Sequence, residues 1–127
     1  MEKEKKLGSA ELEIMQTIWA SGGACSSPYI FNQLKDSLGW KMPTLMTSLS
    51  RLVDKGYLAC DKSGGMNRYS PLVSEQDYKA KEGGSFLRRV YNNSVRDMVA
   101  SLYQGEVLGE QDMAELRAFL DELEGQR

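Results

Sequence analysis

Glycine stops at Gly22-Gly23, Gly39 and Gly56 cut the first half of this chain into three short segments, each with apolar residues at helical spacing. The first segment, Leu7–Ala20, repeats Leu12, Met15, Ile18 and Trp19, with Ser9 as a candidate cap and Glu11 in the first turn. Ser26-Ser27-Pro28 opens the second, which runs through Ile30, Phe31 and Leu34 to about Leu38. The third spans about Pro43 to Lys55. After Gly56 the period changes: Tyr57–Asp61 and Asn67–Pro71 flank a glycine-tipped turn and read as a β-hairpin, and the residues around Cys25 suit a very short strand. Three short helices followed by a hairpin are the element order of a winged helix-turn-helix.

The third helix says most about use. At 100° per residue, Leu45, Leu49, Leu52 and Val53 fall on one side, and Thr44, Thr47, Ser50, Arg51 and Asp54 on the other. That outer face is short, polar and free of acid until its C-terminal end. Small hydroxyl side chains allow close approach to a major groove about 12 Å wide, and an arginine can take phosphate or guanine. An ordinary solvated face remains the other reading, although surface helices favour Glu and Lys over Thr and Ser. Lys62 and Arg68 flank the hairpin tip, where a phosphate-touching wing and a plain surface hairpin are both open. Ser26 and Ser27 place N–H groups where a phosphate could sit, and they equally suit simple capping.

Charge is uneven along the chain. Acids number 18 and bases 16, yet residues 1–73 carry net +2 and residues 74–127 net −4. Lys35–Arg68 holds six bases (Lys35, Lys41, Arg51, Lys55, Lys62, Arg68) against three acids, a pattern that suits a local anionic partner and equally an ordinary solvated charged surface. The absence of histidine excludes histidine-dependent nucleophilic catalysis and histidine-ligated zinc. Cys25 and Cys60 form neither a CxxC nor a disulfide framework. No enzyme constellation, metal site or cofactor is expected. No apolar run approaches the ~20 residues of a membrane span, and Met1–Lys6 is charged rather than signal-like. The expected location is the cytoplasm.

The remainder, residues 74–127, reads as a helical tail following a 1–73 winged-helix domain. Ser74 and Ser94 each begin an S-x-x-D capping pattern, Gly83-Gly84 weakens the first tail helix, and Asn92-Asn93 breaks it. The last helix, about Glu110–Glu124, spaces Met113, Leu116, Leu120 and Leu123 in a 3-4-3 stripe. Leu87, Val90, Tyr91, Met98, Val99 and Leu102 add apolar surface upstream. A monomer could fold this tail back, whereas two intertwined tails bury more and suit palindromic DNA.

Several strings, taken in order, resemble the penicillinase-repressor family, the BlaI/MecI/CopY group. They are Ala10-Glu11-Leu12-Glu13-Ile14-Met15 with Ile18-Trp19, Thr44–Leu52 with Lys55-Gly56, Tyr69–Ser74, Ser85-Phe86-Leu87, and Asp112–Leu116. The resemblance covers Leu7 to Leu123. It implies a dimeric repressor on an inverted-repeat, double-stranded DNA operator of the β-lactam-resistance type. On that resemblance Thr44, Thr47 and Arg51 correspond to DNA-facing positions; together with the reading of the helix, hairpin and cap, the expected DNA contacts are Thr44, Met46, Thr47, Ser48, Ser50, Arg51, Lys55, Lys62, Arg68, Ser26 and Ser27. Dimerisation would use Leu87, Tyr91, Met98, Leu102, Met113, Leu116, Leu120 and Leu123. Met46 stands where relatives often carry a long polar or basic side chain. Copper-responsive members end in C-x-C, and no cysteine follows Cys60, so the BlaI/MecI type is the nearer match. Relatives of that type are cut at an Asn–Phe bond after a membrane sensor-protease is activated; the aligned bond here is Ser101–Leu102. The rival expectations are a winged-helix protein–protein module without DNA binding and a regulator that binds a small effector directly.

Overall fold

The computed structural model describes residues 6–126; Met1–Lys5, within the charged leader read from the sequence, lie outside it. The element order is α1 (Ser9–Ser21), β1 (Cys25–Ser26), α2 (Ser27–Leu38), α3 (Met42–Asp54), β2 (Leu58–Asp61), β3 (Arg68–Pro71), α4 (Glu75–Tyr91), α5 (Val95–Gln104) and α6 (Glu110–Gly125). The three strands form an antiparallel sheet in the order β1-β3-β2, with Cys25 opposite Tyr69 and Cys60 also opposite Tyr69. Three helices closed by this small sheet make a winged helix-turn-helix. No described helix is long and apolar enough to cross a membrane.

Local signals account for the boundaries. The cap of α1 is Gly8 rather than Ser9, because Glu11 reaches back to accept the Gly8 N–H at 3.0 Å. Ser26 caps α2 by accepting the Tyr29 N–H, and Gly39 ends it in the left-handed region at φ 66°. Gly56, at φ 89°, lets the chain leave α3 for β2; a side chain there would be strained. Asp61 accepts from the Ser63 N–H and hydroxyl, at 2.9 and 2.7 Å, and so opens the hairpin turn.

Ile14, Met15 and Ile18 of α1, Ile30 of α2, Leu45, Leu49 and Leu52 of α3 and Leu58 of β2 are essentially free of solvent and form one core. Burial of each contributes roughly 1.5–3 kcal/mol. One hydrogen bond and two ring contacts tie the ends of this unit together. Trp19 donates its indole N–H to Val73 O at 2.9 Å, and Tyr78 stacks against both Trp19 and Tyr57 at 5.8 and 6.1 Å. These rings hold the first turn of α4 to the winged helix. The chain accordingly divides between Ala80 and Lys81, inside α4, later than the break before Ser74 suggested by the change of pattern. Lys55 Nζ meets Glu11 Oε1 at 2.7 Å, joining the end of α3 to the start of α1.

In the second unit α4 runs unbroken through Gly83-Gly84. Asn92 and Asn93 then both adopt positive φ, 54° and 68°, which asparagine tolerates better than most residues. Ser94 caps α5 through the Asp97 N–H at 3.0 Å. None of α4, α5 and α6 contains a buried residue.

Leu49→Ala should cost about 2–5 kcal/mol of unfolding free energy with an unchanged denaturant slope, read by urea titration. An effect below 1 kcal/mol would show that the α3 face is not the packed core described. The Glu11–Lys55 pair makes a pH prediction. Partial burial pushes the Glu11 carboxyl up, but the Lys55 ammonium, the Gly8 N–H and nearby Arg51 outweigh this and hold it below its ordinary 4.5. A lowered carboxylate pKa stabilises the fold above the ordinary value, and that stability is lost as pH falls through the folded value. The stability gap between the native chain and Glu11→Gln should therefore shrink below about pH 4.5; a gap constant from pH 7 to 3 would contradict it.

Candidate nucleic-acid interface

The buried side of α3 fixes which side faces outward. With Leu45, Leu49 and Leu52 locked in the core, Thr44, Thr47, Ser50, Arg51 and Asp54 are all exposed. The face carries no carboxylate before Asp54. Thr47 Oγ1 donates to Pro43 O at 3.1 Å, which turns its hydroxyl hydrogen inward and leaves lone pairs outward as acceptors. Proline in the first turn leaves that end of α3 without one of its backbone donors.

Two hollows adjoin the hairpin strands, one shared with α3 and the other with β1 and the start of α2. The first, about 460 Å³, is lined by Met46, Ser50, Val53, Cys60, Lys62, Asn67 and Tyr69. It brings Met46 and Ser50 of the helix together with Lys62 of the hairpin. Tyr69 forms its inner wall: burial pushes the phenol up from its ordinary pKa, and its oxygen accepts from Asn67 Nδ2 at 3.2 Å. A neutral phenol and a carboxamide therefore line the hollow, while Lys62 supplies the positive charge. The second, about 360 Å³, is lined by Ser21, Ala24, Cys25, Ser26, Tyr29 and Arg68. Pairing of β1 with β3 sets Ser26 opposite Arg68, whose guanidinium donates to Ala24 O at 3.2 Å. That bond uses part of the arginine fork of a residue that lines the hollow.

Three expected contacts lie elsewhere. Ser48 is buried, because at 100° per residue it falls 40° from Leu52, at the edge of the core side of α3. Ser27 is also buried, and its N–H donates to Asn67 O at 3.3 Å, so that amide serves the fold. Lys55 is half-buried in its ion pair with Glu11 and braces the helix from behind. Tyr29 and Asn67 line the hollows although the sequence did not single them out. The available signal was an exposed aromatic directly after the helix-opening Pro28. Met66 at the hairpin tip is half exposed and lines neither hollow.

In the tail, Leu87, Tyr91, Met98, Leu102, Met113 and Leu116 are half-buried, and Leu120 and Leu123 are exposed. Ser101 and Leu102 lie in the last turn of α5. Ser101 Oγ accepts from the Tyr91 hydroxyl at 3.2 Å, and Leu102 O accepts the N–H groups of Val107 and Leu108. That bond cannot lie extended while the turn is intact. Among the described residues no group of acidic or cysteine side chains could hold a metal ion.

A model of the penicillinase repressor family matches residues 7–122. The chain is 32% identical over 122 residues to the penicillinase repressor of Bacillus licheniformis, covering 96% of this chain and 94% of that one. It is 30% identical over 119 residues to the methicillin resistance regulatory protein MecI of Staphylococcus aureus, covering 94% and 96%. Among solved structures, the DNA-binding domain of the repressor BlaI matches with a TM-score of 0.53 at 33% identity, over 61% of this chain and 94% of that one. The Bacillus licheniformis BlaI monomeric form in complex with the blaP half-operator matches at 0.52, with the same identity and coverage. A family match spanning nearly the whole chain, and relatives aligned end to end, agree with the winged helix built above: this chain belongs to the penicillinase repressor family.

Proposed function

We propose that the protein is a homodimeric transcriptional repressor that binds an inverted-repeat operator and controls a β-lactam-resistance-type operon. The observation that carries this is the outer face of α3, where Thr44, Thr47, Ser50 and Arg51 stand exposed with no carboxylate among them. In this reading α3 enters the major groove, Thr44 and Thr47 approach base edges, and Arg51 takes phosphate or guanine. Lys62 and Arg68 contact the backbone from the hairpin, and the half-operator complex of the BlaI relative supports one such module per half-site. Met46, facing the hollow beside Lys62, acts by apolar contact. The winged-helix domain holds DNA, and the tail from α4 onward links two copies through Leu87, Tyr91, Met98, Leu102, Met113, Leu116, Leu120 and Leu123.

Induction proceeds by proteolysis of the tail at Ser101–Leu102, downstream of a membrane sensor-protease. Cleavage detaches α6 and most of the apolar stripe while sparing the winged helix. Two unlinked half-site contacts replace one linked pair, a change worth roughly 10²–10⁴ in affinity.

Analytical ultracentrifugation with a duplex selected from random sequence should give two chains per palindromic site; one chain on an asymmetric site would refute the dimeric reading. On that duplex Arg51→Ala should reduce the slope of log affinity against log salt by up to about 2, near 0.9 for each phosphate released per protomer. If Arg51 reads guanine instead, the loss is roughly 1–3 kcal/mol per half-site and confined to particular sequences. Unchanged affinity for every duplex would remove Arg51 from the interface. For induction, mass spectrometry of the chain from induced cells should find a fragment ending at Ser101, and a chain truncated there should lose operator binding; an intact chain after induction would rule the mechanism out.

A further inference from the structure

The hollow of about 460 Å³ between α3 and the hairpin combines an apolar wall, neutral hydrogen-bonding groups and one cation. Met46, Val53 and Cys60 supply the apolar part, and two of them present sulfur, which packs well against an aromatic ring. Ser50, Asn67 and Tyr69 supply the neutral polar part, since burial and contact with Cys60 keep the Tyr69 phenol protonated. Asn67 Nδ2 donates to Tyr69 Oη at 3.2 Å, which leaves the carboxamide oxygen and one amide hydrogen of Asn67 for another group.

Lys62 is the cation, and among the described residues it has no ion pair or hydrogen bond. No carboxylate lines the hollow. The adjacent Asp61 is held by the Ser63 N–H and hydroxyl in the hairpin turn. One uncompensated positive charge therefore borders a partly apolar space large enough for a small ligand. Other hollows lack this combination. Glu13 lines the one between α1 and α2, Glu106 and Glu110 line the one beside the α5–α6 turn, and at β1 Arg68 already donates to Ala24 O.

We infer that this hollow binds a small aromatic monocarboxylate, with the carboxylate on Lys62 and the ring against Met46 and Val53, and that the ligand displaces operator DNA. The displacement rests on the DNA-binding reading above and gives it a direct regulator. A single cation selects one anionic group, and the neutral groups opposite accept no second charge. Met46, Ser50 and Lys62 serve both partners in this scheme, so ligand and DNA exclude each other at this edge of α3. Release of that kind is reversible and needs no cut in the tail.

The probe is 3-phenylpropanoate, with 3-phenylpropanamide as its uncharged isostere and propanoate as its ringless counterpart. Heteronuclear NMR of the full-length chain should show shifts clustered at the residues lining the hollow, saturating with a Kd of about 0.1–1 mM. The amide and propanoate should each bind at least about fivefold more weakly, and Lys62→Gln should bring the acid to the amide's level. Equal binding of acid and amide would overturn the carboxylate, and equal binding of propanoate would overturn the ring. No saturable shifts up to about 10 mM, or shifts clustered elsewhere, would overturn the site. On a selected duplex, ligand at about ten times its Kd should lower operator affinity about tenfold per half-site. Unchanged affinity with the hollow occupied would overturn the displacement. A native chain that binds no duplex would defeat the repressor reading and the displacement with it, whereas the NMR shifts decide the ligand site by themselves.

Discussion

Burial of Leu45, Leu49 and Leu52 against α1, α2 and β2 sets the rotation of α3, and that rotation decides everything presented on the outer surface. A turn of 100° about the helix axis would carry Thr47 and Arg51 away from the outer face and expose a leucine in their place. Three leucines in a close-packed core make such a turn cost several kcal/mol, so the polar face is preorganised without being held by any bond of its own. The Glu11–Lys55 pair fastens the far end of the same helix and takes a cation off the surface to do so.

The small sheet extends that control to the hairpin. Tyr69 lies between Cys25 and Cys60 across the strands, and its buried ring is both part of the core and the wall of the hollow between α3 and β2–β3. One residue thereby fixes the separation of helix and hairpin. Lys62 and Ser50 border a common hollow for that reason, although they are distant in sequence.

Nothing comparable holds the tail. Its three helices are well capped, at Ser74, Ser94 and Gly109, yet they contain no buried residue. Capping contributes about 1 kcal/mol per helix and cannot replace a core. The half-exposed apolar stripes of the tail are therefore left without a core among the described residues. Dividing a chain this way keeps the outer face of α3 in one unit and the tail's apolar stripes in the other.

Helix boundaries, the hairpin and the outward residues of α3 were legible in the sequence, because glycine stops, caps and a 3.6-residue period are local properties. Thr44, Thr47, Ser50 and Arg51 could be placed outward by the wheel alone. Three assignments were not recoverable that way, because each depends on a group far along the chain. Lys55 looks like one more surface cation until Glu11, 44 residues earlier, is folded against it. The Ser27 amide looks available until β1 pairs with β3 and Asn67 O takes it. Tyr78 looks like the start of a tail until Trp19 and Tyr57 stack on it and move the division to Ala80. Sequence alone determined which residues each helix turns outward, since periodicity lies within one element. Tertiary structure decided which of those remain available, since a polar group becomes committed when long-range packing brings it a partner.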